Sequence, residues 1–195
     1  MTSTGALIER LEWSGDGRTG TVLVLPGAHG GIFQAALYWS TVALVDAGWE
    51  VLVAQWSARP DEREVASAAD VGLARFASAA HGMVMGKSLG SLAAPVVGRA
   101  GVRAIWFTPL MDRTAVASAI RSSSAPTMVV GGTADPSWQR PAERDGMLVV
   151  EIAGANHGLV VPGEWRHSLA QLEVMVESVL GFATEDPRQN PGSPT

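Results

Sequence analysis

Short apolar segments recur along the chain, each bounded by glycine or proline, and their apolar residues do not alternate with polar ones. Segments that are apolar on both faces are typical of strands buried between two helical layers, as in a parallel sheet. The segment LIERLEW, at 7–13, is more amphipathic, which predicts an edge strand with one face in water. We predict buried strands in the segments 21–27, 49–56, 82–86, 102–109, 126–132 and 147–154.

Segments with helical spacing lie between the predicted strands, at residues 34–47, 63–79 and 164–180. Gly48 and Gly181 follow the first and third segments, where a glycine is suited to end a helix in a left-handed conformation. This alternation predicts an α/β fold, a mostly parallel sheet of about seven or eight strands with helices on both faces. The apolar stripes, in order, are Leu37, Leu44 and Val45; Val65, Ala69, Gly72 and Phe76; and Trp165, Leu169, Leu172, Val176 and Val179.

The length of the chain favours one domain without a membrane segment. A chain of 195 residues can form one sizeable core, which we place at residues 1–181. Residues 182–195 contain three prolines and little that could be buried, which predicts a flexible tail. No segment has the roughly 20 uninterrupted apolar residues of a membrane span, and the N-terminus lacks a signal-peptide pattern. We expect a soluble, cytoplasmic protein with no membrane partner.

Charge and cysteine content exclude several kinds of chemistry. The formal net charge is −5 and no basic cluster is visible, which argues against a nucleic-acid partner because such binding needs clustered Lys and Arg. The absence of cysteine removes disulfides, thiolate metal sites and cysteine catalysis. Serine, histidine and carboxylates remain as candidate catalytic groups.

The segment MVMGKSLGS can be compared with two motifs whose chemistry is incompatible. A phosphate-binding loop, G-x-x-x-x-G-K-[ST], is a poor fit, because Gly82 and Gly86 are one residue too close and a predicted strand fills the space between them. The G-x-S-x-G turn, which presents a nucleophilic serine, fits every position, with Ser88 at the apex and a helix over 89–98. We expect Pro95, inside that helix, to end or kink it early.

A nucleophilic serine needs a base and a carboxylate, and their order on a sheet of this type is serine, acid, histidine. Asp135, in GGTADP, directly follows a buried strand at its carboxyl end, where the sites of open α/β sheets gather. Asp112 is the competing acid, one strand earlier. An Asp-Pro turn without function is the alternative interpretation of Asp135.

Among the four histidines, His157 in GANHGL is the best placed base. It lies between the last predicted strand and the last helix, at the same edge of the sheet as Ser88 and the acid. His81 precedes its strand and belongs at the opposite edge, and His167 lies within the last helix. A solvated polar residue is the alternative interpretation of His157.

An oxyanion site requires two N–H donors near the serine. The amide of Leu89, directly after the serine, is one candidate. The loop LPGAHGGI, at 25–32, would supply the other, from Ala28 or alternatively from His29. A glycine-rich turn without catalytic use is the alternative, and the loop does not match G-x-G-x-x-G.

Apolar residues just past the strand ends are candidate contacts for a substrate, and residues that cap the core are the alternative interpretation. Lys87, beside the serine, would favour acidic substrates if it reached the mouth of the site, or would simply be solvated. The candidate contacts are Trp56, Leu110, Met111 and Trp138.

Four segments together resemble the α/β-hydrolase superfamily, specifically small lidless serine hydrolases similar to dienelactone-hydrolase-like esterases. They are LPGAHGG at the oxyanion loop, GKSLG at the serine turn, GGTADP at the acid and GANHGL at the histidine. The resemblance covers about residues 20–181. Two departures are Pro26, where many esterases have histidine, and Lys87, an unusual cation beside the nucleophile.

The resemblance implies an eight-stranded, mostly parallel sheet and hydrolysis of an ester or thioester through an acyl-enzyme. It implies a small-molecule acyl substrate, no metal or organic cofactor, and a triad of Ser88, Asp135 and His157. The short chain leaves little room for all eight strands or for an inserted lid, so we expect a reduced first hairpin and an open, shallow site. We expect a monomer or a small homo-oligomer.

Two other functions use the same residues or the same fold. Acyl transfer, C–C bond cleavage and perhydrolase exchange would all employ the same triad. A non-catalytic binding module on a hydrolase scaffold is the third possibility. The serine, acid, histidine and glycine set argues against a binding module, because each of these residues is dispensable to folding.

Overall fold

Seven strands, five α-helices and one 3-10 helix form the part of the chain that the structure, a computed structural model, describes, residues 7–75 and 81–184. The strands are β1 (Leu7–Arg10), β2 (Gly20–Leu25), β3 (Trp49–Gln55), β4 (Gly82–Lys87), β5 (Arg103–Phe107), β6 (Thr127–Gly132) and β7 (Met147–Ile152). The helices are α1 (Ala35–Asp46), α2 (Glu62–Ala74), α3 (Ala94–Ala100), α4 (Thr114–Ser122) and α5 (Trp165–Thr184), with a 3-10 helix (Ser88–Ala93) directly before α3.

The strands form one mostly parallel sheet in the order β1-β3-β2-β4-β5-β6-β7. All neighbours are parallel except β1, which pairs antiparallel with β3 at one edge. This confirms the predicted α/β fold, and it gives β1 the edge position that its amphipathic sequence indicates. Seven strands are present in the described residues, whereas the resemblance implies eight. At the edge where the first hairpin was expected to be reduced, the described residues contain the single antiparallel strand β1.

Two apolar layers enclose the sheet, one on each face. Successive side chains of a strand point to opposite faces, so Val22 and Val24 of β2 enter one layer, and Leu23 and Leu25 enter the other. Helices α1 and α5 cover the first layer, and α2, α3 and α4 cover the second. The buried strands are therefore apolar on both faces, which is the pattern from which they were predicted.

The first two helices lie close to their predicted positions. Gly48 follows α1 with a left-handed φ of +87°, as predicted. Helix α2 begins with a capping box, in which Asp61 and Glu64 each accept a hydrogen bond from the other's amide at 2.8 Å. The predicted helix 63–79 extends past the end of α2, and its part at 76–79, with Phe76, lies outside the described residues.

The expected effect of Pro95 is wrong. The segment predicted as one helix over 89–98 is a 3-10 helix followed by α3, and Pro95 lies in the first turn of α3. The first amides of a helix have no intrahelical acceptor, so a proline there removes no hydrogen bond. Pro95 therefore begins a helix instead of ending one. Helix α4, which is rich in Ala, Ser and Thr, was not predicted.

The last helix continues beyond its predicted end. Helix α5 passes through Gly181 to Thr184, because Phe182 and Ala183 are buried in the first apolar layer. Trp165 and Leu169 at its start are exposed, so only the second half of the predicted stripe is covered. The remainder of the predicted tail, 185–195, lies outside the described residues. Neither α5 nor any other helix of the described residues is long and apolar enough to cross a bilayer.

Candidate active site

The G-x-S-x-G segment forms a sharp strand-to-helix turn centred on Ser88. Strand β4 ends at Lys87, the 3-10 helix begins at Ser88, and the φ of Ser88 is +49°. A left-handed φ at a residue other than glycine costs on the order of 1–3 kcal/mol and persists only where the surrounding structure imposes it. The turn sets the serine side chain at the carboxyl end of β4.

The two glycines of this segment are required by close packing. A Cβ at Gly90 would lie 2.1 Å from the carbonyl oxygen of Leu25, the last residue of β2. A Cβ at Gly86 would lie 2.5 Å from the indole ring of Trp106 in β5. Contacts this short do not occur in folded proteins, so only glycine allows the turn to sit between the two neighbouring strands. The expectation that the glycines of this set are dispensable to folding is therefore wrong for Gly86 and Gly90.

A buried serine that was not predicted, Ser91, fixes the turn to the segment after β5. Its hydroxyl donates to the carbonyl oxygen of Ser88 at 2.6 Å and accepts from the amide of Leu110 at 3.0 Å. The only signal for it in the sequence is a serine directly after Gly90, which without the fold is indistinguishable from any other small residue in a helix.

Three predicted side chains meet at this edge of the sheet. The Nε2 atom of His157 is 2.8 Å from the Oγ of Ser88, and its Nδ1 atom is 2.7 Å from Oδ2 of Asp135. Ser88 follows β4, Asp135 follows β6 and His157 follows β7, so each is positioned by the carboxyl end of a parallel strand. The imidazole is 41% exposed and the carboxylate 1% exposed.

The partners of His157 determine its tautomer. An ionised carboxylate can only accept, so the neutral imidazole carries its proton on Nδ1 and donates it to Asp135. Nε2 is then free to accept the hydroxyl proton of Ser88. This is the arrangement in which the imidazole can act as a base toward the serine.

Asp135 serves two partners, one with each carboxylate oxygen. Oδ2 faces His157, and Oδ1 accepts the amide of Ser137 at 2.9 Å, two residues further along the chain. The second contact is the local turn that the sequence allowed as an alternative. The turn and the contact with His157 therefore coexist, and the turn fixes the orientation of the carboxylate.

The competing candidates lie elsewhere. Asp112 is exposed and lines a groove beside α4 with Thr114 and Arg121. His81 is exposed directly before β4, at the edge of the sheet opposite Ser88, and His167 is exposed on α5.

The glycine-rich loop after β2 lies over the serine. A Cβ at Gly27 would be 3.7 Å from the Cβ of Ser88, and a turn closes where the amide of Gly30 donates to the carbonyl oxygen of Gly27 at 3.0 Å. Ala28 is inside this turn and partly buried. Leu89, the other predicted donor, is the second residue of the 3-10 helix, where amides have no intrahelical acceptor.

The indole of Trp56 supports this loop. Its Nε1 donates to the carbonyl oxygen of Gly27 at 3.0 Å, and its ring packs partly buried against the second apolar layer. Trp56 was predicted as a substrate contact. The structure shows that its indole also holds the turn that contains Ala28, and the substrate contact stays a prediction.

The other three candidate substrate contacts mostly take part in packing. Met111 is 2% exposed within the second apolar layer, which favours the alternative of a residue that caps the core. Trp138 covers Gly131 and donates from its indole to Glu151 at 2.7 Å. Leu110 is partly buried, with its amide bound to Ser91.

Lys87 is buried, so both sequence-based interpretations of it are wrong. It is 2% exposed, on the face of β4 that carries Met83 and Met85 into the layer under α1 and α5. Its ammonium donates to Oγ1 of Thr108 and to the carbonyl oxygen of His157, both at 2.9 Å. Burial lowers the pKa of this ammonium from 10.5 to about 8, and the charge of Asp135 opposes that shift.

A signal for Lys87 was present in the composition. It is the only lysine of the chain, in which all the other residues counted as Lys or Arg are arginines. Its partner Thr108 gave no such signal: it is fully buried with a φ of +40°, although it is β-branched and precedes a proline, both of which disfavour that conformation.

The fold is that of an α/β-hydrolase without a lid, as comparison with solved structures shows. No protein-family model and no curated protein matches the sequence. Solved α/β-hydrolase structures do match over most of their length and of this chain.

Three of these neighbours illustrate the likeness. A serine hydrolase without lid from Xanthomonas campestris shares 13% identity at a TM-score of 0.61, over 96% of this chain and 99% of its own. Est1E from Butyrivibrio proteoclasticus with ferulic acid bound shares 12% identity at 0.66, over 93% and 96%. Carboxylesterase CesB from Bacillus subtilis shares 12% identity at 0.61, over 94% and 90%. Identities this low establish the fold alone.

The close packing at Gly90 predicts that Gly90→Ala is destabilising. The new methyl group would overlap the carbonyl of Leu25, and we expect a loss of about 1–3 kcal/mol in the free energy of unfolding. Gly98→Ala, in α3, is the matched control, because a Cβ there meets nothing closer than 3.7 Å. Urea unfolding measures both, and equal stabilities of the two variants would contradict the prediction.

The hydrogen bond of Trp56 predicts a local effect of Trp56→Phe. The substitution keeps an aromatic ring and removes the donor to Gly27, so we expect about 1 kcal/mol lower stability and faster amide exchange at Gly30. Trp165→Phe changes an exposed indole and is the control. Hydrogen exchange followed by mass spectrometry measures amide exchange in the loop, and an unchanged rate there would show that the indole does not hold the loop.

The lowered pKa of Lys87 predicts a dependence of stability on pH. The folded chain loses the lysine proton near pH 8 and the unfolded chain near 10.5, so between these values the unfolded state binds more protons and stability rises with pH. The penalty for burying the cation is full below about pH 8 and absent above about 10.5. Relative to Lys87→Met, we expect the wild type to gain on the order of 3 kcal/mol across this range.

Urea unfolding of both proteins at a series of pH values tests this. The two proteins share every other titratable group, so the difference between them isolates Lys87. A difference that stays constant from about pH 7 to about pH 11 would contradict the prediction.

Proposed function

We propose that this protein is a serine hydrolase that cleaves a carboxylic ester or thioester through an acyl-enzyme. The observation that carries the proposal is the hydrogen-bonded series from Ser88 through His157 to Asp135, at 2.8 and 2.7 Å. The fold supports it, because solved neighbours with this fold include serine hydrolases and a carboxylesterase.

In the acylation step, the Oγ of Ser88 attacks the acyl carbon while Nε2 of His157 takes the hydroxyl proton. The amides of Leu89 and Ala28 would bind the negative oxygen of the tetrahedral intermediate. The bond to the leaving group then breaks, and His157 returns the proton to the departing oxygen or sulfur. Asp135 holds the tautomer and stabilises the imidazolium formed in between.

In the deacylation step, water takes the place of the leaving group. His157 removes a proton from the water, which attacks the acyl carbon of the ester formed with Ser88. As the second tetrahedral intermediate collapses, the bond between the acyl carbon and Oγ of Ser88 breaks and His157 returns its proton to Oγ, which releases the acid and restores the serine hydroxyl. Every step uses groups that are present at this edge of the sheet.

The substrate class follows from how open the site is. The imidazole of His157 is substantially exposed, so acyl groups of varied shape could approach it. Phe33, two residues past Gly31 of the glycine-rich loop, is 86% exposed and packs its ring edge near that glycine. We propose Phe33 as a further apolar substrate contact. The aromatic acid bound to Est1E supports testing aromatic acyl esters first.

A fluorophosphonate probe tests the proposal, because it reacts with a serine that has an active base. We expect the wild type to be labelled and Ser88→Ala to be unlabelled. Asp135→Asn and His157→Ala should reduce the labelling rate by about three to four orders of magnitude. A folded wild type that takes no label would reject the hydrolase in favour of a binding module.

Matched controls come from the competing candidates. Asp112→Asn, His167→Ala and Ser118→Ala change exposed residues of the same types and should label at the wild-type rate. If Asp112→Asn lost most of its labelling rate and Asp135→Asn lost none, the catalytic acid would be Asp112 and not Asp135. A panel of p-nitrophenyl esters and thioesters, with and without aromatic acyl groups, then identifies the substrate class and separates hydrolysis from transfer.

A further inference from the structure

A second polar connection joins the nucleophile segment to the histidine loop, and the mechanism above does not use it. Lys87 precedes Ser88 in the chain, and its ammonium donates to the main-chain carbonyl of His157 at 2.9 Å. The imidazole of the same histidine contacts Ser88 at 2.8 Å. Two adjacent residues of one strand end therefore hold the same histidine, one by its backbone and one by its ring.

Thr108 fixes the ammonium from the other side. Its Oγ1 accepts from Lys87 at 2.9 Å, and its amide donates to the carbonyl oxygen of Val130 in β6 at 2.7 Å. The lysine thus connects three segments: the end of β4, the residue after β5 and the loop after β7. The non-glycine residues with left-handed φ in the described part of the chain are Ser88, Thr108 and Leu159, each in one of these three segments.

The position calls for a lysine and not for another long side chain. Methionine has the length but no donor, and arginine carries a larger planar group with a different donor geometry. A compact ammonium has three donors at the end of a slender chain. Burying that charge opposes folding, so a lysine that occurs once in the chain, in this place, indicates a role that outweighs its cost.

We propose that Lys87 is a positioning residue for the catalytic base, and that its ammonium holds the backbone of His157 at the distance from which the imidazole reaches Ser88. The inference rests on the proposed serine-hydrolase function. Lys87 is buried and takes no part in proton transfer. It acts through His157, whose alignment with the nucleophile it maintains.

The first test compares the wild type with Lys87→Met. Loss of the donor releases the carbonyl of His157, and displacement of a catalytic group by about 1 Å can reduce rates about 100-fold. We expect fluorophosphonate labelling to slow by about 10- to 100-fold, with kcat for an ester reduced similarly and KM changed by less than about threefold. Arg99→Met removes an exposed basic residue and is the control for loss of charge.

A spectroscopic measurement separates positioning from general stability. The Nδ1 proton of His157, bound to Asp135, should give a strongly deshielded proton resonance in the wild type. We expect this resonance to broaden or vanish in Lys87→Met while the remaining spectrum stays that of a folded protein. If Lys87 had a purely structural role, Lys87→Met would lower the free energy of unfolding and leave the resonance intact in the folded fraction.

Rescue is possible because the chain contains no cysteine. In Lys87→Cys, alkylation of the unfolded protein with 2-bromoethylamine forms one C–S bond with loss of bromide and restores an ammonium of nearly the same length. After refolding, we expect the alkylated protein to label much faster than the unalkylated one. Wild type taken through the same treatment is the control. If Lys87→Met does not fold, the comparison of alkylated with unalkylated Lys87→Cys tests the positioning role in its place.

The outcomes separate the two proposals. A folded wild type that takes no label rejects the serine hydrolase, and this inference with it. If the wild type is labelled, and Lys87→Met is labelled equally fast and keeps the deshielded resonance, the positioning role of Lys87 is rejected and the serine hydrolase is not. Equal slowing in Arg99→Met, or no gain on alkylation of Lys87→Cys, also overturns it.

Discussion

The parallel pairing of β4 with the strands on either side is the constraint on which the site depends. Its register sets Gly86 opposite Leu25 of β2 and Trp106 of β5. Those strand ends crowd the turn at Ser88 so closely that only hydrogen fits at Gly86 and Gly90. Main-chain hydrogen bonds therefore define the location of the serine before any polar side chain contributes.

The same constraint explains why much of the fold and of the site could be predicted from the sequence. Strands buried on both faces leave uninterrupted apolar segments, and β4 was found within one residue of its bounds. Once the strands were predicted to be parallel, Ser88, Asp135 and His157 could be assigned to one edge, because each follows a strand. The distances between them follow from topology and not from their separation along the chain.

What the sequence did not reveal depends on contacts between distant segments. Lys87 was predicted at the mouth of the site or in solvent, because nothing local showed that its ammonium would meet the carbonyl of His157. The donor role of Trp56 needed the position of Gly27, and the burial of Met111 needed the second layer. Pro95 shows the same limit, since whether a proline ends or begins a helix depends on where the helix starts.

The single lysine also has a practical consequence for the behaviour of the protein. A lysine-specific protease has one cleavage site in this chain, the peptide bond between Lys87 and Ser88. That bond lies at the centre of the sheet and inside the turn, with the recognised side chain enclosed. Digestion would therefore proceed only through molecules whose central strand has opened, and its rate would report how often the protein exposes its own centre.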